Sequence, residues 1–367
     1  MNEPNLSPRT ISDKYRFVDA SDAAALEAAL KASLTGTSDT VSAYEARLAA
    51  VFRSKHALAV SSGGAALSVS LFAAGVQPGD EVILTPTSPL CTVYPILAAQ
   101  AVPVFCDTQA DNFGADLGSL EQLITPRTRA IIDIPMWGYP TPAEELQRLA
   151  KTRGIPLIFD LAHSHGTTFA GQPLSAYADL SCFSTHERKI LSTGEGGFIL
   201  SDDEAILGRC RSYTRFGNLN GQDFGLNYKL GALQAALGTA RLESMSVQLE
   251  LRSENARKIA AQIRHPAVRE FRILPNSSPS YYFMLIESDL ADTQRFIDHL
   301  DAHGIPSDIK RYGCRNLYEF PLLSAYRRDC PNASALLKRI TTLPVHPGIS
   351  DTDIAHMAEA INAYTGT

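Results

Sequence analysis

His56-Ala57-Leu58-Ala59-Val60-Ser61-Ser62-Gly63-Gly64-Ala65-Ala66-Leu67, followed by Pro78-Gly79-Asp80-Glu81-Val82-Ile83-Leu84, is the stretch on which the fold turns. The apolar run His56 to Val60 reads as a short strand, and Ala65 to Ala74 as a helix. Pro78-Gly79-Asp80 is a turn, and Glu81 to Leu84 a second, buried strand. The same rhythm extends in both directions. Upstream, Ala43 to Phe52 reads as a helix. Downstream, strand candidates are Val102 to Cys106, Thr128 to Asp133, Pro156 to Phe159 and Phe198 to Leu200, separated by helix-like stretches such as Leu90 to Ala99 and Pro142 to Arg153. Strands alternating with helices predict an α/β domain with a mostly parallel sheet. In such sheets ligands gather at the carboxyl ends of the strands.

Beyond Leu230 the pattern changes. Leu230 to Arg264 reads as one long helix or two joined. Strand-like runs follow at Arg269 to Leu274 and Tyr281 to Ile286, with helical segments at Thr293 to His303 and Asp351 to Tyr364. The order predicts an N-terminal arm and large domain over 1–245, with a smaller C-terminal α+β domain over 246–367. The arm includes a helix at Ala23 to Ser33. Of the 367 residues 45% are apolar and 20% charged, ordinary values for a globular protein. The formal charge of -6 argues against a nucleic-acid footprint, which needs a basic face. No apolar run reaches the length of a membrane span, and Met1 to Lys14 lacks the apolar core of a secretory signal. The six cysteines are scattered without a C-x-x-C pair or zinc spacing, so reduced thiols, a cytoplasmic location and no metal are expected.

Four segments carry possible chemistry. Ser184-Thr185-His186-Glu187-Arg188-Lys189-Ile190-Leu191-Ser192-Thr193-Gly194-Glu195-Gly196-Gly197 sets one lysine between a hydroxyl-rich approach and a glycine-rich exit. A lysine so placed suits an amine that forms a Schiff base with a cofactor aldehyde; a surface lysine before a turn reads equally well. Gly63, Gly64 and Ala65 open a helix after a strand, where free N–H groups and the helix dipole favour a phosphate, or where there is only a tight turn. Asp160 closes a strand and could hold a pyridinium nitrogen protonated, or cap a helix. His163 could touch a cofactor ring, whereas His165 reads as structural. Phe224 to Leu230 could reach a phosphate across a subunit boundary or merely precede a helix.

Taken together these segments resemble the DegT/DnrJ/StrS family of pyridoxal phosphate (PLP) dependent sugar aminotransferases. Ser62 to Leu67 is similar to the family's S-G-T-x-A-L, and Pro78 to Val82 to its P-G-D-E-V. Asp160-Leu161-Ala162-His163 is similar to D-x-A-H/Q, and Ser184 to Gly197 to S-F-x-x-x-K-x-L-x-x-G-E-G-G. Gly225 to Gly238 is similar to G-x-N-Y-R-x-x-x-x-Q-A-A-x-G, and Leu343 to Pro347 to L-P-x-H-P. The resemblance spans about Val41 to Tyr364.

The resemblance implies an aspartate-aminotransferase-like α/β fold, fold type I of the PLP enzymes. It implies Lys189 as the Schiff-base and proton-shuttling residue, Asp160 on the pyridine nitrogen and His163 near the ring or its 3′-oxygen. Gly63, Gly64, Ala65 and Ser184 would hold the phosphate, with Asn227 reaching that of the neighbouring subunit in a homodimer. The implied reaction moves an amino group from L-glutamate or L-glutamine to a keto-sugar, keto-cyclitol or related secondary-metabolite ketone. A sugar dehydratase is the alternative within PLP chemistry, but its members resembling this fold carry histidine in place of the lysine. A non-catalytic regulator would not need the pair of Asp160 and Lys189. Several positions depart from the family. Gly64 stands for its threonine, Thr185 for its phenylalanine, Lys229 for its arginine, and Ser88-Pro89-Leu90 falls where a ring-stacking aromatic is usual, a part Tyr94 could take. His186, Arg188, Arg215 and Arg311 are the candidates for contacting substrate.

Overall fold

The computed structural model describes residues 10–366. The part of the arm before residue 10, over which no secretory core was read, lies outside the described residues. The central sheet has seven strands: β1 (His56–Val60), β2 (Glu81–Leu84), β3 (Val102–Phe105), β4 (Thr128–Asp133), β5 (Leu157–Asp160), β6 (Leu180–Ser184) and β7 (Gly197–Ser201). Their order is β1-β7-β6-β5-β4-β2-β3. Only β7 runs antiparallel to its neighbours, pairing Val60 with Gly197 on one side and Ser184 with Gly197 on the other. The remaining adjacent pairs are parallel. Strands covered by helices on both faces must be apolar on both faces. Accordingly Glu81-Val82-Ile83-Leu84 and Leu157-Ile158-Phe159-Asp160 are buried at every position.

The helices obey local rules. Ala143–Arg153 carries Glu144 and Glu145 in its first turn and Lys151 and Arg153 in its last, complementing the helix dipole, and Gly154 ends it in the left-handed region at φ 64°. The long apolar-periodic stretch after Leu230 divides into Ala232–Leu242 and Met245–Gln262. At the break the Ser244 hydroxyl donates to the Arg241 carbonyl at 3.0 Å, a side-chain bond that competes with helix continuation.

A second, antiparallel sheet comprises β8 (Val268–Glu270), β9 (Met284–Ser288) and β10 (Ile340–Leu343), in that order. The expected strand at Tyr281 to Ile286 therefore begins three residues later. Tyr281 adopts φ 51°, which no strand accommodates, so the buried aromatics Tyr281, Tyr282 and Phe283 form a bend that only resembles a strand in composition. All six cysteines are unpaired, and no helix among the described residues is long and apolar enough to cross a membrane.

One consequence of the topology positions the site. Strands β1, β2, β4, β5 and β6 all point the same way, so the segments leaving their carboxyl ends share one sheet edge. Those segments carry Ser62 to Ala65, Thr87 to Cys91, Met136 and Trp137, Asp160 to His163, and Ser184 to Lys189.

Candidate active site

A cavity of about 460 Å³ opens at that edge, and Lys189, His163, His186 and Arg188 are on its wall. The lysine is held by its loop rather than by a helix or strand. Thr185 N–H donates to Gly196 at 2.8 Å, Thr193 N–H donates to Thr185 at 2.7 Å, and Lys189 N–H donates to His186 at 2.8 Å. Thr185 and Thr193 also join side chain to side chain at 2.6 Å. The threonine that stands for phenylalanine thus closes the loop from inside. Ile190 and Leu191 are buried and anchor its far end. Arg241, which sequence reasoning missed, donates to the Ser192 carbonyl at 2.8 Å while pairing with the buried Asp22 carboxylate, also at 2.8 Å. The first helix is thereby tied to the lysine loop.

Asp160 ends β5 as a buried carboxylate. Its Oδ2 accepts from the Thr92 hydroxyl at 2.7 Å and its Oδ1 from the Ala162 N–H at 3.1 Å. Burial raises its pKa, while these two donors and the Lys189 charge act in the opposite sense. His163 stacks on Tyr282, with ring centroids 4.5 Å apart and planes 12° from parallel. Lys189 Nζ lies 4.8 Å from the centroid of the same tyrosine ring. Burial, then the charge of Lys189, lowers the His163 pKa well below its ordinary value and that of His165 to about 3. Both imidazoles are neutral at physiological pH, so neither adds a charge beside the lysine. Cys91, on the cavity wall, has its thiol pKa raised by the protein packed around it and then by Asp160.

The helix Gly63–Ala73 follows β1 and starts beside Ser184, the last residue of β6. A Cβ on Gly63 would lie 2.7 Å from Ser184 Cβ, so only glycine lets the turn approach that strand. The Ser62 hydroxyl caps the helix by accepting from Ala65 N–H at 3.0 Å. That occupies the Ala65 donor and leaves the N–H groups of Gly63 and Gly64 directed outward from the helix start.

These placements fit a PLP-sized group without containing one. A glycine-opened helix start with Ser184 beside it suits a phosphate, and Asp160 is a buried carboxylate within the influence of Lys189. The Nδ1 of His163 is buried with no hydrogen-bond partner among the described residues, a donor or acceptor open to a ring substituent.

The remaining expected residues are dispersed. Arg188 reaches the cavity, yet its guanidinium is bound to Asp13 at 2.9 Å and Asp308 at 3.6 Å. Arg311 is held by the same Asp13 at 2.6 Å. Arg215 follows the helix Glu204–Thr214 and bridges to Asn227, away from the cavity wall of its own chain. Asn227 is exposed and accepts from Lys229 Nζ at 2.6 Å. His186 is half exposed, with Glu195 at 3.8 Å. Asp13, Tyr282 and Asp308 carried no signal in the sequence, because each arrives from an element far along the chain.

The chain is 27% identical to GDP-perosamine synthase of Escherichia coli O157:H7 over 316 residues, covering 84% of this chain and 86% of that protein. It is 26% identical to the dTDP-3-amino-3,4,6-trideoxy-alpha-D-glucose transaminase of Streptomyces venezuelae, covering 88% and 86%. The solved structure of S. venezuelae DesV matches with a TM-score of 0.87 at 25% identity over 94% of each chain. The 3-amino-5-hydroxybenzoic acid synthase, at 23% identity over 97% of this chain and 98% of that one, shares the fold with a TM-score of 0.87. With residues 17–362 matched by its family model, the chain belongs to the DegT/DnrJ/EryC1/StrS aminotransferase family.

Proposed function

We propose that this aminotransferase uses PLP to move the amino group of L-glutamate or L-glutamine onto a cyclic ketone of the sugar, cyclitol or secondary-metabolite class. The observation that carries the reading is that Lys189, buried Asp160 and the Gly63–Gly64 helix start share one sheet edge, where Lys189 and His163 are on the cavity wall. Bound PLP would supply an electron sink for the carbon whose proton is removed. The protein's own residues supply the rest. Lys189 would take up the proton released from the donor carbon, and its backbone N–H bond to the His186 carbonyl fixes where its side chain starts. Asp160, held in place by Thr92 and Ala162, would face the ring nitrogen. His163, neutral and pressed flat against Tyr282, orients without adding charge. Gly63, Gly64 and Ser184 bind the phosphate, with Ala65 shaping the turn.

The same reading includes a homodimer in which Asn227 serves the neighbouring subunit. Phe216, Leu219, Phe224 and Leu226 expose apolar surface around Asn227, as a segment covered by a second copy would. We further place the domain division at residues 245 and 246 and the enzyme in the cytoplasm. Donor conversion tests the central claim. The loaded enzyme should change its visible absorbance when L-glutamate is added, and Lys189→Ala should abolish both that change and turnover. Retention of both by Lys189→Ala would sink the assignment.

A further inference from the structure

The cavity wall carries three cations, Arg188, Lys189 and Arg315. Arg188 is neutralised by Asp13 and Asp308. Lys189 is committed to the cofactor in the reading above. Arg315 differs from both: it is exposed and makes no hydrogen bond or ion pair with any described residue. Its one partner among the described residues is the Phe320 ring, whose centroid lies 4.1 Å from the guanidinium carbon. The nearest carboxylate along the chain, Glu319, accepts instead from Asn316 Nδ2 at 3.2 Å. The loop is fixed, since Leu317 N–H donates to Pro86 at 2.7 Å, across to the segment leaving β2. Asn316 Nδ2 also donates to Ser334 at 2.9 Å. A stacked, preoriented guanidinium with no carboxylate partner among the described residues therefore faces a cavity whose wall includes Leu90, Tyr94, Met136, Tyr312 and Leu317.

We propose that Arg315 recognises the amino acceptor, and that the acceptor is a ring ketone bearing a single carboxylate. The inference rests on the aminotransferase reading and names the substrate class of that site. One guanidinium forks onto one carboxylate. A nucleoside diphosphate brings at least two charges, and the second would find Asp308 on the wall and no second unpaired arginine. The apolar and aromatic wall supplies the area for a ring, and Arg315 is an exposed cation of that wall, open to a charged group on such a ring.

The experiment compares loaded wild type, Arg315→Gln and Arg315→Lys by equilibrium binding of three ring probes: benzoate, phenyl phosphate and benzyl alcohol. Arg315→Gln should weaken benzoate about tenfold or more, the loss expected for a charge-assisted hydrogen bond, and shift benzyl alcohol less than twofold. Arg315→Lys should recover part of the loss. Equal weakening of benzoate and benzyl alcohol, or no benzoate binding to wild type, overturns the proposal. So does phenyl phosphate binding that exceeds benzoate and depends on Arg315. The L-glutamate half-reaction is measured alongside, and a fall there as large as the loss of benzoate would assign Arg315 to the donor. Probe binding does not require turnover, so absence of any donor conversion would count against the aminotransferase reading alone.

Discussion

Gly63 and Gly64 are neighbours in one helical turn, yet the structure assigns them opposite responses to the same substitution. A Cβ added at Gly63 would meet Ser184 Cβ at 2.7 Å and Ser184 Cα at 3.3 Å. Neither atom can retreat, because Ser184 ends β6 in register with β7. At Gly64 the nearest atom is Ser62 Oγ at 3.8 Å, an ordinary contact. Overpacking costs about 1–3 kcal/mol, and replacing a helical glycine by alanine returns about 0.5–1 kcal/mol. Gly63→Ala should therefore destabilise by roughly 1–2 kcal/mol, about a 5–30-fold shift in the folded-to-unfolded ratio, and Gly64→Ala should be neutral or stabilising by up to about 1 kcal/mol. Urea unfolding of the cofactor-free variants measures both. PLP titration separates a damaged phosphate cradle from a damaged fold. Adding Ser184→Gly to Gly63→Ala removes the clashing Cβ and should recover stability, but not PLP affinity, since the Ser184 hydroxyl is lost with it. If the two glycine variants have equal stability, the close approach of the helix start to β6 is wrong.

Four further outcomes follow from other parts of the molecule. Gly64→Thr restores the hydroxyl that the family carries there, and PLP should bind about tenfold tighter by titration, the low end for a hydrogen bond to a charged group. His165 lies among Phe52, Phe183 and Phe198 with a folded-state pKa of about 3, below the unfolded value of about 6.5. The unfolded chain then takes up the proton first, so stability falls as pH drops below about 6.5, by up to about 1.4 kcal/mol per unit. His165→Leu should flatten the pH dependence of unfolding between about pH 6 and pH 4 by up to that slope, and an unchanged slope would refute the assignment. Asp13→Ala should cost about 1–3 kcal/mol, because a partly buried arginine loses a charged partner but keeps Asp308; in double-mutant cycles Asp13 should couple more strongly to Arg188 than to the more exposed Arg311. Leu219→Asp with Phe224→Asp, both on apolar surface more than 60% exposed, should shift the protein to monomers in sedimentation and weaken PLP binding, and an intact dimer would exclude this face as the interface.

Much of the large sheet was legible because its signals are local. His56–Val60, Glu81–Leu84 and Thr128–Asp133 coincide with the strands read from short apolar runs between turn residues. Asp160, His163 and Lys189 could be singled out as candidates for the same reason, as each sits within a few residues of a strand's carboxyl end, while Ser184 entered through the family resemblance. The reading lost register where local composition and backbone geometry disagree. At Tyr281 three aromatics in a row have strong strand propensity, but packing of their rings holds the backbone at positive φ and the strand starts at Met284. The arginines were hardest to sort, since a guanidinium's role depends on which carboxylate reaches it, and spacing carries no information about that.

The sequence by itself determined the order of strands and helices and the sheet edge at which the candidate residues collect. Its apolar periodicity and glycine punctuation act between neighbours and need no knowledge of the rest of the chain. Only the tertiary structure decided that Asp13 crosses 175 residues to neutralise Arg188, that Tyr282 lies against His163, and that Arg315 has no carboxylate partner among the described residues. Those facts depend on how the arm and the C-terminal segments close over the sheet edge. Charge pairing at a few ångströms is set by that closure, because an ion pair is a property of position in space and not of position along the chain.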